Sequence, residues 1–151
     1  MEGGVKKYFE ILAVNISRNK GEQKVGIETG LLIENHGLEG DAHAGKWHRQ
    51  VSLLADEDID TMRDKGITLA YGDFAENITT RGVALSGLPV GTRLHMGEAV
   101  LEVTQIGKEC HHGCQIFRIV GDCVMPRNGI FTRVLKGGEI SSGSRCFYEA
   151  Y

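Results

Sequence analysis

Two thiols and two imidazoles lie within the segment Gly107-Lys108-Glu109-Cys110-His111-His112-Gly113-Cys114. The thiolate is the nucleophilic and metal-binding form of cysteine, and nearby cations favour it. Lys108, His111 and His112 therefore act toward a Cys110 thiolate, while Glu109 acts against one. From spacing alone, three readings stand side by side. Cys110 is a reactive thiol on an exposed loop, or Cys110 and Cys114 are small buried hydrophobes, as free cysteines commonly are. The third is structural zinc on Cys110, Cys114, Cys123 and a histidine, although the spacing departs from the usual paired knuckle.

Three further segments carry polar chemistry. In GDAHAGKWHRQ, Asp41, His43 and His48 offer a carboxylate and imidazoles for a metal or for a hydrogen-bonded loop. Lys46 and Arg49 of the same segment suit an anion, or else form a solvated face. In GDFAENITTRG, Glu76 and Asn77 either fix the ring edges of a ligand or satisfy backbone groups near a barrel rim. In GDCVMPRNGIF, Arg127 stands before a short expected helix whose first amides suit an anion, with an ordinary loop capped by Asn128 as the alternative. The chain has no Walker phosphate loop, no GxGxxG after a strand, no GxSxG elbow and no HExxH, which disfavours several common enzyme classes.

The elements that must position these groups are short. The chain holds 21 glycines and 2 prolines, with glycines spread between brief apolar runs, a pattern of many strands and tight turns. Strands are expected at 9–16, 25–33, 50–54, 76–80, 92–96, 99–106 and 145–148, giving a mainly β, barrel-like domain with a few short helices. A hairpin is expected at Gly97-Glu98, because Leu94 and Met96 alternate before it and Leu101 and Val103 after it. A helix is expected from Asp56 to Lys65, with acidic residues in its first turn, basic ones in its last, Gly66 as its stop, and Ile59 and Met62 facing the core. A second, shorter helix is expected from Ile130 to Lys136, with Phe131, Val134 and Leu135 on its apolar side.

Length and charge bound the rest. With 151 residues and no composition shift or repeat, residues 1–151 read as one domain. A formal net charge of -3 supplies no general positive field, which argues against general nucleic-acid or membrane binding. The first residues lack an apolar run of signal or membrane length, so the expected location is cytoplasmic. There the four cysteines point to thiol or metal chemistry rather than to disulfides.

Taken in order, GDAHAGKWHRQVSLL, GDFAENITTRG, VGTRLHMGEAVLEVTQIGKEC and MPRNGIFTRVLKGGEI resemble the MOSC domain, the C-terminal domain of molybdenum cofactor sulfurase, over about residues 14–147. The resemblance implies a MOSC-type β-barrel and a stand-alone MOSC protein. It gives the cysteine at position 110 a role in ligating molybdenum or carrying persulfide sulfur. It also makes Asp41, His43, Arg49, Gln50, Glu76, Asn77 and Arg127 pocket residues for a pterin-type molybdenum cofactor, and Lys108 joins them as a neighbour of the thiol. Cysteine desulfurases or molybdenum cofactor biosynthesis proteins are the implied partners. Pyridoxal phosphate is not expected in this chain, because the aminotransferase-like domain of full-length sulfurases has no counterpart in it.

Two positions depart from the family pattern: Glu109 stands where proline is common, and Gly143-Ser144 replaces a late Gly-Asp turn. Two alternatives accompany the leading reading, namely a molybdenum-dependent reductase of N-hydroxylated compounds served by an electron-transfer partner, and a non-catalytic accessory domain with structural cysteines or zinc.

The thiols should differ in reactivity. Cys110 should label fastest with a maleimide in the folded protein, and Cys146, in an expected terminal strand, slowest. Peptide mapping after timed labelling measures this, and equal rates at the two positions would remove the case for a reactive Cys110.

Overall fold

The computed structural model describes residues 4–107 and 128–150. Eleven strands, β1 (Val5–Ile16), β2 (Val25–Ile27), β3 (Thr29–Ile33), β4 (Gly37–Leu38), β5 (Val51–Ala55), β6 (Ile78–Arg81), β7 (Arg93–Met96), β8 (Ala99–Ile106), β9 (Ile130–Lys136), β10 (Gly138–Ser141) and β11 (Arg145–Ala150), accompany one helix, α1 (Asp56–Arg63), among the described residues. A short 3-10 turn, Leu85–Gly87, lies between β6 and β7.

Seven strands close a barrel in the order β1-β6-β5-β9-β8-β7-β11, and β11 returns to β1. Strand β1 is long enough to serve two neighbours along one edge: Val5 to Glu10 pair with β11, and Val14 to Ile16 pair with β2. Its opposite edge pairs with β6. All barrel pairings are antiparallel except β5 with β6. A second sheet, β10-β3-β4, stands beside the barrel.

Alternation fixes the barrel interior. In β8, Ala99, Leu101 and Val103 are buried while Val100, Glu102 and Thr104 between them are partly exposed, the period of a strand with one apolar face. Strand β5 departs from that period, because all five of its residues are buried. Val51, Leu53 and Ala55 face the barrel core, while Leu54 joins Ile59, Met62, Phe74 and Phe131 in a second cluster. The helix thus covers the outer face of β5, so the strand is buried on both faces, with its one polar side chain, Ser52, bonded to Asn77.

The expected elements are met in most places. The 99–106 strand and the two-residue turn at Gly97-Glu98 occur as read, with Met96 opposite Ala99 and Gly97 at φ 60, the first-position geometry that favours glycine in such hairpins. Helix α1 ends at Arg63 rather than Lys65 and buries Ile59 and Met62. The expected 25–33 strand is divided, since β2 pairs with β1 whereas β3 pairs with β10 and β4.

One expectation is overturned: Ile130–Lys136 is strand β9, not a helix. Phe131, Val134 and Leu135 mimic a helical stripe, but Ile130 and Val134 point into the barrel and Phe131 into the outer cluster. Thr132 is also fully buried and donates its hydroxyl to the Val51 carbonyl at 3.0 Å. A seven-residue segment rich in β-branched residues, held between β5 and β8, satisfies its backbone in the sheet, whereas an isolated helix of that length gains too little. Among the described residues, no helix is long and apolar enough to cross a membrane.

Gly72 shows how tightly the loop before β6 docks. Its φ is +95, and a Cβ there would lie 2.2 Å from the Lys24 carbonyl oxygen, which is backbone and cannot swing aside. Gly72→Ala should therefore lower stability by about 3 kcal/mol or more, combining left-handed strain with overpacking. Urea unfolding reads the change, and a variant within about 0.5 kcal/mol of wild type would mean that the contact relaxes freely.

Candidate functional site

The segment between β4 and β5 holds the largest group of candidate residues and has little apolar anchoring of its own. Residues 42–49 are all partly or fully exposed. Polar contacts hold it instead. The Asp41 carboxylate, with no exposed side-chain surface, meets the equally buried Lys24 ammonium at 2.8 Å. Its Oδ1 also accepts from the Ser17 N–H at 3.1 Å, and Oδ2 accepts from the His43 N–H at 3.1 Å. Burial opposes ionisation of Asp41, but the Lys24 and Ser17 donors outweigh it and hold the carboxyl below its ordinary value of 3.8. Lys24 Nζ further contacts Ser17 Oγ at 3.1 Å and His43 Nδ1 at 3.0 Å.

Beyond His43 the chain presents a tryptophan and a cation. Trp47 donates its indole N–H to the His43 carbonyl at 2.8 Å, and the two rings lie nearly parallel. The half-buried Arg49 stacks its guanidinium over Phe131, 5.0 Å from the ring centroid. Its Nε donates to Gln105 Oε1 at 3.2 Å, and His48 Nε2 reaches the same oxygen at 3.0 Å. Gln105 in turn donates to the Gly107 carbonyl at 2.8 Å, at the end of β8. Trp47, His48 and Lys46 also border an open groove of ≈ 590 Å³ that Glu102 and Arg133 complete.

The remaining candidates are interior. Asn77 Oδ1 accepts from the Ser52 N–H at 3.0 Å, and its Nδ2 donates to the Asn15 carbonyl at 3.1 Å, so one amide ties β5 to β1. Glu76 accepts from the N–H of Gly72, the N–H of Phe74 and the Thr79 hydroxyl. Burial pushes its carboxyl up, against the pull of those donors. Gln50 accepts from the Val134 N–H at 2.8 Å and donates to Asn35 Oδ1 at 3.2 Å. Asp41, Gln50, Glu76 and Asn77 thus place their side-chain atoms in bonds within the protein, whereas His43 and Arg49 retain exposed surface.

Cys110, Lys108 and Arg127 lie outside the described residues, as do His111, His112, Cys114 and Cys123. Cys146 is fully buried, and burial alone pushes its thiol up to about 12. Among the described residues, no three His, Cys, Asp or Glu side chains are grouped to hold a metal ion. Sequence reading missed Lys24, Ser17, Ser52 and Gln105. Nothing in a lysine amid polar residues marks it for burial, and its partner Asp41 is 17 residues away.

The family described as the MOSC domain matches residues 40–146. No curated protein matches the chain. Among solved structures, the YuaD protein from Bacillus subtilis is similar with a TM-score of 0.82 at 16% identity, the match covering 98% of this chain and 99% of that one. YiiM from Geobacillus stearothermophilus is also similar, with a TM-score of 0.68 at 17% identity, covering 94% and 75% of the two chains. YiiM from Escherichia coli gives 0.60 and 19%, with 96% and 70% covered. At such identities these likenesses concern the fold.

Asp41 sets a pH dependence whose sign is fixed by its lowered folded pKa. The stabilisation from Asp41 is complete above the unfolded value near 3.8 and is lost as pH falls through the still lower folded value. Asp41→Asn leaves the Lys24 charge buried without its partner, so it should cost about 3–5 kcal/mol at pH 7. The gap between wild type and variant should narrow when urea unfolding is repeated below about pH 3. A gap that is constant with pH would contradict the ion pair.

Proposed function

Because the chain belongs to the MOSC domain family, we propose that it binds a pterin-type molybdenum cofactor, or carries persulfide sulfur for such a centre, through Cys110 and the anion-binding Arg49. The observation that carries this reading is the fixation of Arg49. Phe131 covers one face of the guanidinium and Gln105 holds Nε, while no described residue bonds its two Nη groups. A planar cation oriented in that way suits bidentate contact with a phosphate. The residues therefore fit the phosphate end of the cofactor, with Arg49 as principal donor and Lys46 and His48 as neighbours in the chain. When bound, the cofactor supplies a redox-active metal centre. This chain's own part is to hold the anionic end and to offer the thiol.

Sulfur transfer assigns Cys110 a nucleophilic step. Its thiolate attacks the terminal sulfur of a donor persulfide, a new S–S bond forms on Cys110 as the donor S–S bond breaks, and the donor leaves as a thiolate. The proton on the transferred sulfur travels with it, so the charge balances and no outside oxidant is needed. Asp41, Gln50, Glu76 and Asn77 serve by fixing the backbone from which His43 and Arg49 project.

Incubation with a cysteine desulfurase and cysteine should load cyanide-labile sulfur on the wild-type protein, and Cys110→Ser should abolish it. In parallel, elemental analysis after reconstitution with molybdenum cofactor should show about tenfold weaker retention in Arg49→Ala, the loss of one charge-assisted contact. Protein that neither gains labile sulfur nor retains molybdenum, under conditions that load a known acceptor, would refute both forms of the proposal.

A further inference from the structure

Two loops stand against β8 and are pinned to it at neighbouring residues. Residues 90–92 are held where the Gly91 N–H donates to the Val103 carbonyl at 2.8 Å and the Val103 N–H donates to the Thr92 carbonyl at 2.9 Å. Residues 46–48 are held where the Thr104 hydroxyl bonds the His48 carbonyl. The groove of ≈ 590 Å³ lies between these walls, and the cross-strand pair Glu102 and Arg133 also lines it. Its size falls within the range of about 300–1,000 Å³ typical of small-molecule sites. Because both walls hang from one strand, the barrel sets the width of the groove in advance, and little ordering is charged against binding.

The lining has two characters. Trp47 and Val90 present apolar surface, at 38% and 62% exposure. The Trp47 ring is already oriented, since its indole N–H is engaged by the His43 carbonyl. Beside Val90, a Cβ on Gly91 would meet nothing within 4 Å, so that wall leaves room for a flat group. A fixed, partly exposed indole gains most from another ring, because offset aromatic pairs gain more than their buried area alone provides.

Charge supplies the other character. Lys46 and Arg133 stand against one carboxylate, Glu102, so the lining is net positive in a chain of formal net charge -3. Nε and Nη2 of Arg133 both bond the same Glu102 oxygen, Oε1, at 2.8 Å, which leaves Nη1 without a partner among the described residues. Lys20 adds a cation 5.4 Å over the Trp47 ring. His48, the remaining titratable residue of the lining, turns its Nε2 to Gln105. Complementarity therefore favours a ligand with an aromatic body and an anionic head.

We propose that this groove binds a small aromatic acid, its ring against Trp47 and Val90 and its carboxylate toward Lys46 and Arg133. The inference goes beyond the proposed function and uses neither Arg49 nor Cys110, so the two stand or fall separately.

The chain has one tryptophan, so the indole N–H signal in proton–nitrogen spectra of 15N-labelled protein reports on the groove directly. Naphthoate should shift that signal saturably. Uncharged naphthamide and the non-aromatic cyclohexanecarboxylate should each bind about tenfold more weakly, the loss of one charge-assisted or one ring contact. Arg133→Gln should weaken naphthoate about tenfold and leave naphthamide unchanged, whereas Arg49→Ala should leave both unchanged. Val90→Glu, at an exposed position, should also weaken naphthoate by placing a carboxylate at the rim. Absence of a saturable naphthoate shift up to about 10 mM overturns the proposal. So does an equal response to naphthamide or to cyclohexanecarboxylate, or a naphthoate affinity that Arg133→Gln leaves unaltered. An affinity lost in Arg49→Ala would assign the acid to the Arg49 site and overturn the groove. Should Arg133→Gln fail to fold, the three probes on the wild-type protein and the Val90→Glu variant still decide.

Discussion

A lysine ammonium and an aspartate carboxylate, both removed from water, meet beside the end of β1, and the geometry of the candidate site follows from how they are satisfied. Dehydrating two charges costs several kcal/mol each, which contact alone does not reliably offset. Here the contact is supplemented. Asp41 accepts from two backbone amides as well as from Lys24, and Lys24 donates to Ser17 and His43. The pair therefore draws together the end of β1, the approach to β2 and the start of the 41–50 segment. That segment has few buried apolar side chains, so hydrogen bonding rather than core packing decides where it lies.

The same economy governs the neighbouring seam of the barrel. Closure needs β6 to lie between β1 and β5, and β5 runs parallel to β6, so no tight hairpin can set their register. Asn77 supplies what a hairpin would: its amide bonds β5 through Ser52 on one side and β1 through Asn15 on the other. Glu76, one residue earlier, gathers the amides of the Gly72 to Phe74 loop, and that loop receives the Lys24 N–H on its Gly72 carbonyl at 2.9 Å. Buried polar networks of this kind are costly when incomplete and specific when complete, which explains why so many polar side chains occupy positions otherwise given to a core.

How far the sequence disclosed this depends on the range of each interaction. The β7–β8 hairpin and α1 were legible because turn residue, alternation and helix-end charges lie within a dozen residues of one another. Strand β9 was not, since the apolar spacing of Phe131, Val134 and Leu135 suits a helix until β5 and β8 are seen to bracket it. The mainly β, barrel-like class was legible in the glycines spread between short apolar runs, and the resemblance of four ordered segments specified a MOSC-type barrel. Within the site, Asp41, His43, Arg49, Gln50, Glu76 and Asn77 were legible as residues but not as roles. A carboxylate's function depends on whether it faces a ligand or a lysine, and the positions of Lys24 and Gln105 are set by tertiary folding alone.

The contrast between Lys24 and Arg49 shows why charge by itself is a poor guide to a binding site. Both are cations attached to the same loop region, yet Lys24 has every donor engaged within the protein and no surface left, while among the described residues Arg49 is steadied by one bond and one aromatic face. A side chain of the first kind acts through what it orients. One of the second kind can meet an anion directly, because its ordering has been achieved beforehand by Phe131 and Gln105 and is not charged against binding. The protein thus separates two tasks that a single exposed lysine would combine poorly, and its buried cation shapes the site that its half-buried one is free to use.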